Sequence, residues 1–217
     1  MPCFSKMQKQ TQPVPGTFLL LASRSPRRSE ILKKLSLPFR VISSSYKERR
    51  IRGLRPHELV IRHAVSKAKK ANSNKKAWIL GADTLVFRGK KILGKPKTIV
   101  EARKMLALLS GKVHDVYTGL ALYHPAQKKL ITGFSRTRVQ FKKLTSKDIK
   151  NYMRQVNPFD KAGAYAIQEG PKIVKKMRGS YSNVIGLPVE LLKKMLNKSS
   201  PLPKPTGSRL PPATWNR

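Results

Sequence analysis

Acidic residues are what this chain has least of: ten Asp and Glu stand against forty-seven Lys and Arg, for a formal net charge of +37 over 217 residues. The first acid is Glu30, and no arginine precedes Arg24. A single cysteine, Cys3, excludes a disulfide framework and predicts a reducing, cytoplasmic setting. No apolar run approaches the roughly 20 residues that span a bilayer, and the start MPCFSKMQKQTQPVPG holds no apolar core of a secretory signal. The phosphate loop G-x-x-x-x-G-K-[ST] is missing, as is the nucleophile elbow G-x-S-x-G. His57, His63, His114 and His124 do not fall at metal-ligand spacing.

In so depleted a sequence each remaining carboxylate asks for a reason. Several sit beside Gly, Lys or Arg in short segments that read as loops: Glu48 in YKERR, Asp83 in GADT, Asp160 in FDKAG and Glu169 in IQEG. Isolated acids in a cationic chain suit a protein that handles a polyanion together with a divalent cation, which points to phosphates. The positive field attracts phosphate ligands, nucleic acid and anionic lipid alike, screened by salt. Because the cations are spread along the chain, nucleic acid is expected to bind only non-specifically, at low salt. No membrane partner is expected.

The length suits one α/β domain, with or without two lobes. Residues 1–16 read as a disordered polar tail ending in PVPG, and 198–217 as a disordered Pro-rich tail. Between them, 17–197 alternate strand and helix signals. TFLLLA is a buried-strand candidate, followed by Ser25 and Pro26 as a helix start. Phe39–Ile42 is a second strand, and Pro56 opens a helix with Leu59, Val60, Ala64 and Ala68 on one face. Ala77–Gly81 is strand-like and ends at Asp83, with LVF continuing extended. Thr98 and Glu101 form a capping box on a helix stopped by Gly111. Val113–Tyr123 and Leu130–Phe141 form an antiparallel hairpin, and Thr145 opens a helix to Gln155. Ala164–Gln168 and Lys172–Met177 read as two more strands, and a helix from Leu187 closes the fold. The sum is an α/β fold: a mixed twisted sheet flanked by helices.

Three segments carry candidate chemistry. In S-R-S-P-R-R a strand feeds a helix whose free N–H groups make an anion site. Arg27 and Arg28 there oppose the helix dipole, and a bound phosphate would offset them. Asp83, at the end of an apolar strand, can coordinate Mg²⁺ or orient a water as general base. Lys95 in LGKP and Lys161 in KAGAY stand at Gly-bounded turns from which an ammonium can reach a phosphate. Glu30 reads as a local ion-pair partner.

Taken in order, LLASRSPRRSEILKKL, VIRHAVSKAKKA, GADTLV, GKPKTIVEARKMLALLSGKVHDVYTG, FDKAGAYAIQ and GSYSNVIGLP resemble the Maf family of nucleoside triphosphate pyrophosphatases over residues 17–197. The resemblance implies an inosine-triphosphatase-like fold with two lobes around a central cleft. It also implies hydrolysis between the α and β phosphates to the monophosphate and pyrophosphate, with Mg or Mn as divalent cation and a homodimer as the assembly. By position, Asp83 resembles the proton acceptor. Ser23, Arg27 and Arg28 match the phosphate-binding segment, Lys67 and Lys95 two substrate-binding lysines, and Glu48 a metal partner of Asp83. SPRR, GADT and KAGAYAIQ are similar to the subgroup acting on dTTP and UTP, in which Arg27, Thr84 and Gln168 sit at positions linked to substrate choice. Gln168 offers both a donor and an acceptor, as the imide edge of uracil or thymine requires.

Asn157 and Lys47 depart from the family pattern at positions often acidic, which predicts weaker metal affinity. Two rivals follow: a pyrophosphatase for modified or methylated guanine nucleotides, and a nucleic-acid-binding protein with weakened catalysis.

Overall fold

The computed structural model describes residues 19–49, 51, 53–73 and 77–199. The two terminal tails expected from composition lie outside the described residues, apart from 198 and 199. Among the described residues seven strands form one mixed sheet: β1 (Leu19–Leu21), β2 (Phe39–Val41), β3 (Trp78–Arg88), β4 (Lys91–Leu93), β5 (Val113–His124), β6 (Lys129–Phe141) and β7 (Val174–Arg178). Their order is β2-β1-β3-β5-β6-β7, with β4 paired to β3. β1 runs parallel to both β2 and β3, and the other pairings are antiparallel. Among the described residues six helices flank the sheet: α1 (Pro26–Lys34), α2 (Pro56–Lys69), α3 (Ile99–Leu109), α4 (Ser146–Gln155), α5 (Tyr181–Ile185) and α6 (Val189–Asn197). No helix among the described residues is long and apolar enough to cross a membrane.

Strand length decides where the site can form. β1 has three residues and pairs with Trp78–Leu80, whereas β3 runs eleven and stays paired with β5 from Ile79 to Phe87. The sheet therefore splits beyond Leu21, and the middle of β3 borders an opening. One apolar cluster fills the near half of the long strands with α1 and α6, through Leu32, Leu35, Trp78, Leu120 and Leu192. Another fills the far half with α3 and α4, through Val86, Leu106, Val116, Phe141 and Tyr152.

α2 lies against β3 and β5 as its apolar face predicts, with Leu59, Val60, Ala64 and Ala68 all buried. Two glycines make the approach close. A Cβ on Gly81 would strike the Ala64 carbonyl oxygen and the Ala68 nitrogen, and one on Gly119 would come 2.5 Å from the Val60 oxygen.

Three expectations need correction. Asp83 is not at a strand's end: it pairs with Gly119 in the middle of β3, and the neighbour that stops is β1. Residues 164–168 are not a strand. Ala162–Ala164 form a 3₁₀ turn in which Gly163 and Ala164 take φ of +70° and +64°, and the Gly163 N–H donates to the Gly94 carbonyl. Two successive left-handed residues cannot lie in a ladder. The Thr98 cap is half as expected: its hydroxyl accepts from the Glu101 N–H, but the Glu101 carboxylate accepts from Lys97, one residue outside the helix. Helix α5, absent from the reading of the sequence, is capped by Ser180 and stopped by Gly186 at φ +115°.

Candidate active site

Lys67, on the last turn of α2, is the pivot of the opening. Its Nζ stands 2.6 Å from Asp83 Oδ1, 2.6 Å from Glu48 Oε1 and 3.3 Å from the Ala82 carbonyl oxygen. The close seating of α2 on Gly81 brings the ammonium down to β3. Glu48 arrives on a segment pinned to the same helix end: the Ser44 hydroxyl donates to the Lys67 carbonyl, and the Ser45 N–H to that of Lys70. The Tyr46 hydroxyl meets His63 Nδ1 at 2.7 Å, one turn up α2. Burial pushes the Glu48 carboxyl up, yet the charge and hydrogen bond of Lys67, with Lys95 and His63 behind, outweigh it and hold Glu48 below the usual range. Asp83 is buried, and its Oδ2 has no hydrogen-bond partner.

The loop after β1 contributes the arginines. Arg28 is buried and held by each of its nitrogens: Nε donates to the Gly186 carbonyl at 2.8 Å, Nη1 to Ser23 Oγ at 2.9 Å and Nη2 to Thr84 Oγ1 at 3.1 Å, which leaves one N–H on each Nη for a ligand. Thr84 meets Thr118, which donates to the Asn183 carbonyl, so one guanidinium ties α1, β3 and α5 together. Gly186 caps the C-terminal, negative end of α5. Desolvation lowers the Arg28 pKa, and Asp83 and Glu48 oppose that shift. The Ser25 side chain makes no cap bond; instead its N–H donates to Ser23 Oγ.

Arg27 turns the other way, to Asp160 Oδ2 at 2.6 Å and the Asp160 carbonyl at 2.9 Å. Lys161 is buried. Its Nζ lies 2.8 Å from Asp160 Oδ1, 3.0 Å from Glu169 Oε2 and 2.9 Å from the Asn157 carbonyl. Burial raises the Asp160 pKa, but hydrogen bonds from Lys161 and Arg27 hold it below the ordinary carboxylate value. Asp160 thus offsets Arg27 directly, while Arg28 donates to neutral oxygens. Lys95 and Arg24 form no hydrogen bond or ion pair with any described residue. Lys95 lies at the mouth of the cleft, where desolvation lowers its pKa against the pull of Glu48.

All ten residues singled out in the sequence line two adjoining cavities that share Arg27, Arg28, Glu48, Lys67 and Lys95. The first, 80 Å³, adds Asp83, Thr84, Lys161 and Gln168, with walls from Val86, Val116 and Tyr165. The second, 360 Å³, adds Ser23, Ser44, Tyr46 and Arg24. Lys161 lines the first cavity with its donors already engaged. Glu30 is exposed and pairs with no described residue. Asn157 caps a turn by accepting from the Phe159 N–H, and Lys47 is exposed. Arg24 and Tyr165 went unread. Arg24 could have been found as a third arginine in the anion loop, whereas nothing in the sequence marks Tyr165.

No three His, Cys, Asp or Glu side chains converge among the described residues. Two carboxylates sharing one ammonium, one with an orphaned buried oxygen, still fit Mg²⁺ or Mn²⁺, because such a cation takes its remaining ligands from waters and substrate phosphates.

A mixed sheet split beside a short parallel strand, with carboxylates on the floor and cations on the walls, defines an α/β protein built around a cation-lined cleft. The family model described as Maf-like protein matches residues 18–199. The chain is 42 % identical over 182 residues to a dTTP/UTP pyrophosphatase of Bacillus cereus, covering 83 % of this chain and 94 % of the relative. Dedicated relatives of the same description from Geobacter sp. (strain M21) and Citrifermentans bemidjiense are 44 % identical over 173 residues, 79 % of this chain and 90 % of each relative. This chain belongs to the Maf family.

Proposed function

We propose that this protein hydrolyses dTTP and UTP to the monophosphate and pyrophosphate. The observation that carries the reading is the Asp83 side chain, buried, clamped at Oδ1 by Lys67 and unpartnered at Oδ2, in the wall of a cation-lined cavity. The relatives' activity and the match over nearly their whole length support it.

The triphosphate lies across the seam of the two cavities. The arm that holds Gln168 takes the nucleoside, and the arm that holds Ser23 and Arg24 takes the phosphates. Val86 and Tyr165 supply apolar walls, and the Gln168 amide, which now donates to Glu169 at 3.2 Å, pairs with the imide edge. Water beside Asp83 Oδ2 gives its proton to that oxygen as it attacks phosphorus. The new P–O bond forms as the α–β bridge breaks, and its electron pair leaves on pyrophosphate. Lys67 holds Asp83 in place, and Arg28 and Lys95 meet the charge that develops. Asp83 and Glu48 would hold a Mg²⁺ or Mn²⁺ ion. When bound, the cation supplies charge neutralisation and a more acidic water. On this reading the enzyme works in the cytoplasm as a homodimer, which light scattering at twice the chain mass would support.

The test is product analysis with UTP, dTTP and a methylated guanine triphosphate at equal concentration. Monophosphate plus pyrophosphate from the pyrimidines is expected, and Asp83→Asn should abolish turnover while leaving the protein folded. Free phosphate with diphosphate, or preference for the guanine nucleotide, overturns the reading.

A further inference from the structure

Beyond α2, β6 turns alternate side chains away from the packed core, exposed among the described residues. Phe134 is 43 % exposed. It stacks on His57 at 4.9 Å and 28° and against Tyr117 of β5 at 6.4 Å and 28°. The Arg136 guanidinium lies 5.7 Å over the Tyr117 ring. Farther along the same face the character is cationic. Arg138 stands directly opposite Arg178 of β7, and Gln140 opposite Lys176. These four side chains, with Val113 and Met177, line a cavity of 220 Å³.

Asp115 pairs with Arg136 at 2.9 Å and reaches Arg138 at 3.7 Å. Arg178 and Lys176 form no ion pair with any described residue. Like charges facing each other across two strands destabilise a sheet, and a partly solvated run of stacked rings leaves apolar faces in water. A ligand that offers both phosphates and flat rings relieves both. A second copy docked about a two-fold axis would set Arg138 and Arg178 against themselves or one another.

We propose that this face binds single-stranded nucleic acid, with a base stacked on Phe134 and the backbone on Arg138, Lys176 and Arg178. From Phe134 to Gln140 the strand spans roughly 20 Å, room for the shorter single-strand sites, of about four nucleotides. The net charge alone predicts salt-sensitive binding to any polyanion. The rings add something different: a preference for single strands, whose bases are free to stack, over duplex. The site is separate from the nucleotide cleft and stands or falls independently of the pyrophosphatase reading.

Fluorescence polarisation with a labelled twelve-nucleotide oligo-dA and a twelve-base-pair duplex, at several salt concentrations, tests it. The single strand should bind more tightly. Phe134→Ala should weaken it roughly tenfold with little effect on duplex, and Phe134→Trp should retain it. Arg138→Gln with Arg178→Gln should lower the salt slope by about 1.4, whereas Lys193→Gln with Lys194→Gln should leave the single-strand preference unchanged. Melting temperatures confirm that each variant is folded. Equal affinity for the two oligonucleotides, or no loss in Phe134→Ala, overturns the proposal. A dimer dissociated by Phe134→Ala, without oligonucleotide binding, replaces it with a second copy.

Discussion

Replacing Lys67 by Met keeps the aliphatic stem and removes the one ammonium that two carboxylates share. The Lys67 and Asp83 side chains are 14 % and 3 % exposed and meet at 2.6 Å, so this contact is barely screened. Glu48, at 46 % exposed, is solvated on its other side and its share must be discounted. Removing one partner of a buried ion pair leaves an uncompensated charge, which costs about 3–5 kcal/mol. For this partly open site we expect the lower end, about 3 kcal/mol. Adding Asp83→Asn removes the stranded charge, so the double variant should recover about 2 kcal/mol of it. Urea unfolding at pH 7 of the four members of the cycle measures this. Millimolar Mg²⁺ should restore part of the loss in Lys67→Met, by binding the freed carboxylates, and none in the double variant. A loss under about 0.5 kcal/mol, or no recovery with Asp83→Asn, would falsify the view that Lys67 is the counter-ion on which the site is built.

Other expectations follow from particular contacts. Gly119→Ala places a Cβ 2.5 Å from the Val60 oxygen and 2.6 Å from the Ile61 nitrogen, so α2 must lift. Stability should fall by about 2 kcal/mol, and UTP turnover should drop with it as Lys67 leaves Asp83. Unchanged kinetics would separate helix seating from catalysis. His114 is buried against Phe141 and Tyr165, and desolvation takes its pKa from 6.5 down to about 4, against a small opposing pull from Asp115. An imidazole that stays neutral when folded but protonates when unfolded gives stability that is complete above pH 6.5 and declines as pH falls toward 4. The decline is about 3 kcal/mol. Denaturant midpoints of wild type and His114→Asn at pH 7.5 and 4.5 should show a flatter dependence in the variant. Arg24 lines the larger cavity with no partner among the described residues, so Arg24→Gln should raise KM for UTP roughly fivefold. Inhibition by pyrophosphate should weaken in parallel, and equal inhibition constants would remove Arg24 from the site.

The chemistry of individual segments was legible in the chain itself. Helix starts at Pro26, Pro56 and Thr145, and the hairpin of β5 and β6, follow from local rules: where proline fits, which side chain can accept a free N–H, how apolar residues alternate. The scarcity of acids also pointed well. Glu48, Asp83, Asp160 and Glu169 line or border one cleft, while Glu58, Glu101 and Asp148 serve helix starts.

Tertiary structure decided the rest. Asp83 reads as a strand's last residue because Gly, Ala and Asp look like a turn, yet β5 holds β3 extended through it by a full ladder that no local window contains. The 164–168 segment carries strand-like residues but leaves a turn that is left-handed at Gly163 and Ala164, set by the Gly163 bond to Gly94 and by the burial of Lys161. Arg28 reads as an exposed first-turn cation, and only the arrival of α5, 158 residues away, supplies the carbonyl that buries it. Local propensity acts over a few residues, whereas burial and charge pairing act through space. The sequence thus names the ingredients of the cleft, and the way β1 stops short while β3 continues determines that they meet.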